Sequence, residues 1–286
     1  MVKWGLFILI SLIWGSSFLL MAAGMEHFTP WQVAAARLFF GGLVLAPLAA
    51  GALKRIPRDK LKLVIISGFL ASFFPAFLFC IAETRLESSF AGMLNALTPV
   101  FVILVGVLFY NAHARKQQVI GILISFCGCI GLFFSKNSST GDILFAGFVI
   151  LATICYGVNV NMVSKKLTEV SPVDLIALSF AIIAIPALLI MIFTGTFSAD
   201  FTSRAVLISS GASVLLGVFG TALGNILFYI LMRKAGRIFA TTVTYGIPFV
   251  AIFFGWLVYH ETQNIYGWLS MLVILAGIFI VNLKRG

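Results

Sequence analysis

Apolar residues fall into ten runs along the chain, each closed by a short polar or Gly/Pro-marked break, and no break is long enough to fold as a soluble domain. The runs predict helices over about 4–23, 31–53, 61–82, 88–110, 117–135, 142–164, 172–195, 205–232, 238–259 and 265–283. A helix needs about 20 predominantly apolar residues to cross a bilayer core, and a lipid-embedded helix satisfies its own backbone N–H and C=O groups. The expected fold class is an all-α polytopic membrane protein with ten transmembrane helices. Lys3 and Ala22-Ala23-Gly24 flank the first run as in a signal peptide. The run is longer than a usual h-region, however, and carries Trp14, Gly15, Ser16 and Ser17 at its middle, so an uncleaved first helix is expected.

Composition sharpens this. Of 286 residues, 61% are apolar and 10% charged, against about 25% charged in soluble domains. The net charge of +10 does not point to nucleic acid, because the basic residues sit in short runs between apolar stretches rather than on one soluble face. Placing the N-terminus in the cytoplasm puts fifteen basic residues inside: Lys3, Lys54, Arg55, Arg58, Lys60, Lys62, Arg115, Lys116, Lys165, Lys166, Arg233, Lys234, Arg237, Lys284 and Arg285. Three fall outside, Arg85, Lys136 and Arg204, and Arg37 is left within a helix. By the positive-inside rule both termini are expected to be cytoplasmic. Cys80, Cys127, Cys129 and Cys155 lie inside apolar runs and read as small packing residues rather than disulfides or metal ligands.

The chain also repeats itself. Trp14-Gly15-Ser16-Ser17-Phe18 falls on Tyr156-Gly157-Val158-Asn159-Val160, and Thr29-Pro30 falls on Ser171-Pro172. Phe90-Ala91 through Pro99-Val100-Phe101 matches Phe239-Ala240 through Pro248-Phe249-Val250. The expected units are residues 1–136 and 137–286. With five helices in each, the second copy runs in the opposite sense, an arrangement that places a substrate site near the midplane between the copies.

The aromatic-Gly-Ser element Trp14-Gly15-Ser16-Ser17, the Pro-x6-Arg-Leu entry Pro30, Arg37, Leu38, the mid-helix prolines Pro99 and Pro248, and Gly255-Trp256-Leu257-Val258-Tyr259-His260-Glu261-Thr262 followed by Gly267 recur in order across the whole chain. In these features the sequence resembles the EamA-type permeases of the drug/metabolite transporter superfamily, similar to bacterial amino-acid and metabolite exporters. The resemblance implies two inverted five-helix repeats in a bacterial-type cytoplasmic (inner) membrane, and alternating-access transport through a pathway lined by helices one, four, six, eight and nine. Two positions depart from the pattern: the glutamate after helix four is Ala112 while its counterpart Glu261 is kept, and the repeat copy of Arg37 is Ser179. The unequal pair favours a structural role at that helix end.

Candidate chemistry is sparse. The acids Glu26, Asp59, Glu83, Glu87, Asp142, Glu169, Asp174, Asp200 and Glu261 lie in breaks or near helix ends, whereas proton relays usually carry carboxylates within the membrane. Glu83 is the best remaining acid for gating or proton coupling, which stays open. Arg37 is the charge well inside a span, about 10 Å beyond Pro30 at 1.5 Å per residue. It is expected either to meet an anionic group of a substrate or to be held by nearby acids such as Glu26 or Glu83. Polar and aromatic residues at helical spacing form strips that point to a cavity: Trp14 and Ser17, Tyr156 and Asn159, Asn95 with Pro99, Thr244 with Pro248 and Tyr245 beside it, and Asn225 with Tyr229, faced by Phe79 from the first half. These ten residues, prolines aside, are the expected substrate contacts. Their mixture suits a neutral, zwitterionic or amphipathic small molecule. Pro99 and Pro248 are the expected hinges. Gly121, Ser125 and Cys129 form a small-residue packing face, used within a protomer or in a homodimer. His27, His113 and His260 sit at membrane edges without nucleophile or metal-ligand spacing, so neither enzyme chemistry nor a cofactor or metal is expected.

Overall fold

In a computed structural model, residues 2–112, 115–135, 140–261 and 264–282 are described. His113, Lys136, Thr262, Lys284, Arg285 and the side chain of Asp142 lie outside them. The first break illustrates how the polar punctuation works. Thr29 Oγ1 accepts from Gln32 N at 3.3 Å while Gln32 Oε1 accepts from Thr29 N at 2.8 Å, with Pro30 in the first turn. That reciprocal cap starts a helix.

The chain forms α1 (Val2–Met25), α2 (Pro30–Arg55), α3 (Arg58–Ala82), α4 (Ser88–Tyr110), α5 (Lys116–Ser135), α6 (Thr140–Lys166), α7 (Pro172–Phe193), α8 (Arg204–Ala235), α9 (Arg237–Tyr259) and α10 (Ile265–Asn282). Among the described residues eight helices are long and apolar enough to cross a membrane; α5 and α10 have shorter apolar stretches, Lys116–Gly131 and Ile265–Gly277.

Packing follows the repeat. Gly15 of α1 lies against Val250 of α9, and its copy Gly157 of α6 lies against Phe101 of α4, where a methyl group would stand 2.9 Å from the Phe101 carbonyl oxygen. Glycine at both places lets the helices approach closely. Helices α2 and α7 pack together, as do α5 and α10. In the latter pair Ser125 Oγ reaches the carbonyls of Gly121 (2.9 Å) and Ile274 (3.3 Å), so the small-residue face of α5 is used against α10. Cys129 is buried and Cys127 exposed, as expected of residues two apart on a helix.

Four helices are irregular, at matching places. Helices α3 and α8 contain π-helical stretches, Phe69–Phe73 and Leu216–Leu223. Helix α4 breaks at Ala96-Leu97 and restarts at Thr98, with Pro99 in the first turn of the restart. Helix α9 passes through a 3-10 turn, Thr242–Tyr245, before Gly246–Tyr259, which holds Pro248. Pro99 and Pro248 thus begin helical segments, where a missing N–H costs least.

The two ends differ in charge. At one end Arg55 pairs with Asp174 at 2.5 Å, Lys60 with Glu169 at 3.3 Å, and Arg233 donates to the carbonyls of Thr168 (2.8 Å) and Val170. At the other, Tyr259 Oη donates to Glu26 at 3.0 Å and Gln32 Nε2 to the Thr194 carbonyl at 2.8 Å. There Glu261 also accepts from the backbone N–H groups of Ser88 and Ser89, each at 3.1 Å, capping α4 from a different part of the chain. This places the retained glutamate at a helix start, where a negative charge and an acceptor are both stabilising.

Candidate functional site

The irregular stretches of α3, α4, α8 and α9 converge with α1, α2 and α6 on a central cavity of about 90 Å³. Trp14, Ser17, Phe79, Asn95, Tyr156, Asn159, Asn225, Tyr229 and Thr244 all line it, together with Arg37. Tyr245, one residue past Thr244, faces instead a wide recess at the basic end, shared with Lys3, Trp4 and Arg237. Glu83 lies in a separate recess at the acidic end, beside Glu26, Glu87, Tyr259 and Glu261.

The aromatic walls are ordered by ring contacts. Trp14 packs on Phe228 with centroids 5.2 Å apart, Phe79 stacks on Tyr156 at 6.3 Å, and Phe18 meets Phe79 edge-on at 5.7 Å. The π stretch of α8 changes the local backbone pairing, and the Trp14 indole N–H donates to the Gly220 carbonyl there at 3.0 Å. The Thr221 hydroxyl donates to Leu216 O at 3.0 Å and accepts from Arg37 Nε at 3.0 Å.

At the basic side of the cavity a buried chain of three side chains joins α3, α6 and α8. Ser67 Oγ donates to Asn159 Oδ1 at 2.7 Å, and Asn159 Nδ2 donates to the Tyr229 oxygen at 2.5 Å. Tyr229 lines both the central cavity and a recess opening at the basic end beside Arg233 and Arg237, so its ring is part of the partition between them.

Arg37 is the charged residue on the cavity wall. Its Nη1 reaches the Met21 sulfur at 3.7 Å and the Cys80 thiol is also beside it, and among the described residues it has no ion-pair partner. Holding an arginine within a span costs about 2.5–3.5 kcal/mol on insertion scales, and one neutral hydroxyl offsets part of that. The alternative in which Glu26 or Glu83 neutralises it is not the arrangement present. Glu83 instead accepts from Ser88 Oγ at 3.1 Å. Burial pushes its carboxyl well above the usual range, with Ser88 and Arg37 opposing and Glu261 adding to the rise.

Thr98 and Phe228 also line the cavity without being expected there, and Ser72 and Thr241, which spacing puts on the inward strips, join the contacts. Thr241 and Phe228 share helical faces with Thr244 and Asn225, a signal available from spacing. Ser72 stands in the π stretch of α3, on the same face as Ala76 and Phe79, which also line the wall. Its Oγ is buried without a hydrogen-bond partner.

Comparison with known proteins agrees with this architecture. Protein PagO of Salmonella typhimurium is 25% identical over 290 residues, covering 98% of this chain and 92% of its own. The uncharacterized inner membrane transporter YedA of Escherichia coli K12 is 24% identical over 276 residues, covering 96% and 88%. A solved crystal structure at 16% identity covers 97% of this chain and 95% of its own with a TM-score of 0.67, which establishes likeness of fold alone. The model of the EamA-like transporter family matches residues 3–134 and again 143–283, that is, both copies of the repeat. The chain therefore belongs to the EamA-like transporter family, a family of membrane transporters.

Proposed function

We propose that the central cavity is the substrate site of a secondary transporter that moves small amphipathic metabolites of the amino-acid class outward across the inner membrane by alternating access. The halves 1–136 and 137–286 act as two inverted five-helix units, with both termini and the basic end in the cytoplasm. The observation that carries the reading is the cavity itself: a small mid-bundle chamber with aromatic walls and converging polar groups, drawn from both halves. The Ser67–Asn159–Tyr229 chain helps close the cytoplasmic side in this conformation.

The test is counterflow of labelled neutral and aromatic amino acids by purified protein in liposomes, with Trp14→Ala and Asn159→Ala alongside. Saturable counterflow weakened in both variants, at unchanged protein level, supports the reading; unchanged substrate affinity in both refutes the placement. A second reading is a facilitator without ion coupling, favoured by the absence of any carboxylate among the cavity-lining residues. Flux indifferent to an imposed proton gradient selects it.

A further inference from the structure

We propose that Arg37 and Ser72 form a carboxylate-binding pole of the central cavity, so that the transported solute carries a carboxylate and the site discriminates against amines that lack one. The inference rests on the cavity being the substrate site and adds the chemistry of the solute.

Ser72 supplies the first argument. Other buried helical serines of the chain find a partner for their hydroxyls, either a carbonyl one turn back, as Ser17 on Ile13, Ser179 on Ile176 and Ser213 on Ser209, or a group on another helix, as Ser11 on Val243 and Ser67 on Asn159. Ser72 does not. It is 5% exposed, its Oγ has no partner, and it lines the cavity. By the repeat its counterpart is Thr221, also within a π stretch, whose hydroxyl has both a carbonyl acceptor and the Arg37 donor. Of the matched pair one hydroxyl is occupied by the protein, and the other is left for something that enters the cavity.

Arg37 supplies the second. A guanidinium has five N–H donors; here Nε serves Thr221, Nη1 meets the Met21 sulfur and the Cys80 thiol is a further, weak partner, so no strong acceptor engages the Nη donors. No acid is among the cavity-lining residues, and Arg37 is the charged one among them. A carboxylate matches such a donor-rich, cationic pole in both charge and planar geometry. A bare ammonium meets repulsion there and finds no anion. The solute's apolar body then lies along Trp14, Phe79 and Tyr156.

The experiment measures ligand-induced thermal stabilisation and counterflow by the full chain with three probes of one shape: L-leucine, 4-methyl-2-oxopentanoate and 3-methylbutylamine. These separate a zwitterion from a simple organic anion, and both from the amine. One or both carboxylates should bind at least about tenfold more tightly than the amine. Ser72→Ala should weaken carboxylate binding about tenfold, the scale of a lost hydrogen bond to a charged group, and Arg37→Lys should weaken it as well, because an ammonium lacks the fork. Ser72→Ala keeps the test valid if Arg37 variants do not fold. Amine binding equal to carboxylate binding, wild-type carboxylate affinity in Ser72→Ala, or no binding by either carboxylate overturns the proposal. Trp14→Ala separates this failure from that of the cavity: binding that is sensitive to Trp14→Ala but blind to the carboxylate removes the pole alone, while binding indifferent to Trp14→Ala removes the cavity as the site.

Discussion

Tyr229→Phe removes one hydroxyl from the partition between the cavity and the basic end and leaves the ring in place. The lost contact is the 2.5 Å bond from Asn159 Nδ2. Interhelical hydrogen bonds within membranes average about 0.6 kcal/mol with a maximum near 1.7. At RT of about 0.59 kcal/mol this is a shift of roughly threefold, and at most about eighteenfold, toward states open at that end. Asn159→Ala removes this bond and the 2.7 Å bond from Ser67, so two average bonds predict a shift of roughly eightfold. Ser67→Ala should match Tyr229→Phe. The readout is the rate at which a membrane-impermeant thiol reagent, applied from the basic end, labels Ser17→Cys in the cavity, in a background where the exposed Cys127 is serine. The expected order is Asn159→Ala fastest, with Tyr229→Phe and Ser67→Ala between it and the parent. Equal rates in all four proteins would refute the idea that this chain of bonds holds the partition shut.

Three further outcomes are expected. Glu261→Ala strips the acceptor from two N–H groups at the start of α4; capping and dipole losses together are about 1–3 kcal/mol, read as a drop of several degrees in apparent Tm in detergent, with Glu261→Gln losing less. Burial favours the neutral form of Glu83 in the folded chain, so its contribution to stability is present at low pH and is lost as pH rises through the folded value. Glu83→Gln should therefore flatten a Tm that otherwise declines with rising pH; a parallel decline in both proteins would dismiss the assignment. Gly157→Ala drives a methyl to 2.9 Å from the Phe101 carbonyl oxygen, an overpacking cost of about 1–3 kcal/mol, and a protein of wild-type thermal stability would contradict that close approach.

Much of this site was legible before any coordinates because two periodicities coincide. Apolar runs of bilayer length mark the helices, and polar or aromatic residues at i, i+3 and i+4 mark the faces that lipid cannot accept. Trp14 with Ser17 and Asn225 with Tyr229 come to the cavity for that reason. Tyr245 does not, because it lies one residue past Thr244, and a 3-10 turn of three residues per turn carries it round toward the recess at the basic end. The π stretches of α3 and α8 leave no comparable pattern, since a single widened turn changes which side chains share a face without changing composition. Ser72 shares a face with Ala76 and Phe79 by ordinary spacing, yet nothing local shows that its hydroxyl is left without a partner. The role of Glu261 depends on a contact with Ser88 and Ser89 more than 170 positions away, which no local spacing encodes.

The sequence repeat pairs positions of the two halves, and several of the pairs on or beside the cavity wall carry unlike side chains. Transferred to the first half, the chain of Ser67, Asn159 and Tyr229 becomes Leu216, Ser17 and Cys80. Leucine cannot donate, Ser17 already spends its hydroxyl on the Ile13 carbonyl at 2.7 Å, and a thiol is a weak partner. When inverted halves exchange conformations, as the proposed mechanism requires, the partition at the acidic end therefore forms without the two bonds that hold the one at the basic end. Counting the same average of about 0.6 kcal/mol per bond, the substrate-free protein rests closed toward the basic end by about 1 kcal/mol from this source alone. The same asymmetry separates Thr221, held by Arg37, from Ser72, and Arg37 from Ser179, whose hydroxyl turns back to Ile176. Under the proposed function, a solute in this chamber would meet one charged pole and one neutral wall, which favours a single orientation. Installing both missing bonds with Leu216→Ser, Ser17→Asn and Cys80→Tyr should bring the labelling rates from the two ends, read at Thr244→Cys on the cavity wall, closer together than in the parent, and a resting bias unmoved by that exchange would place its origin outside these six residues.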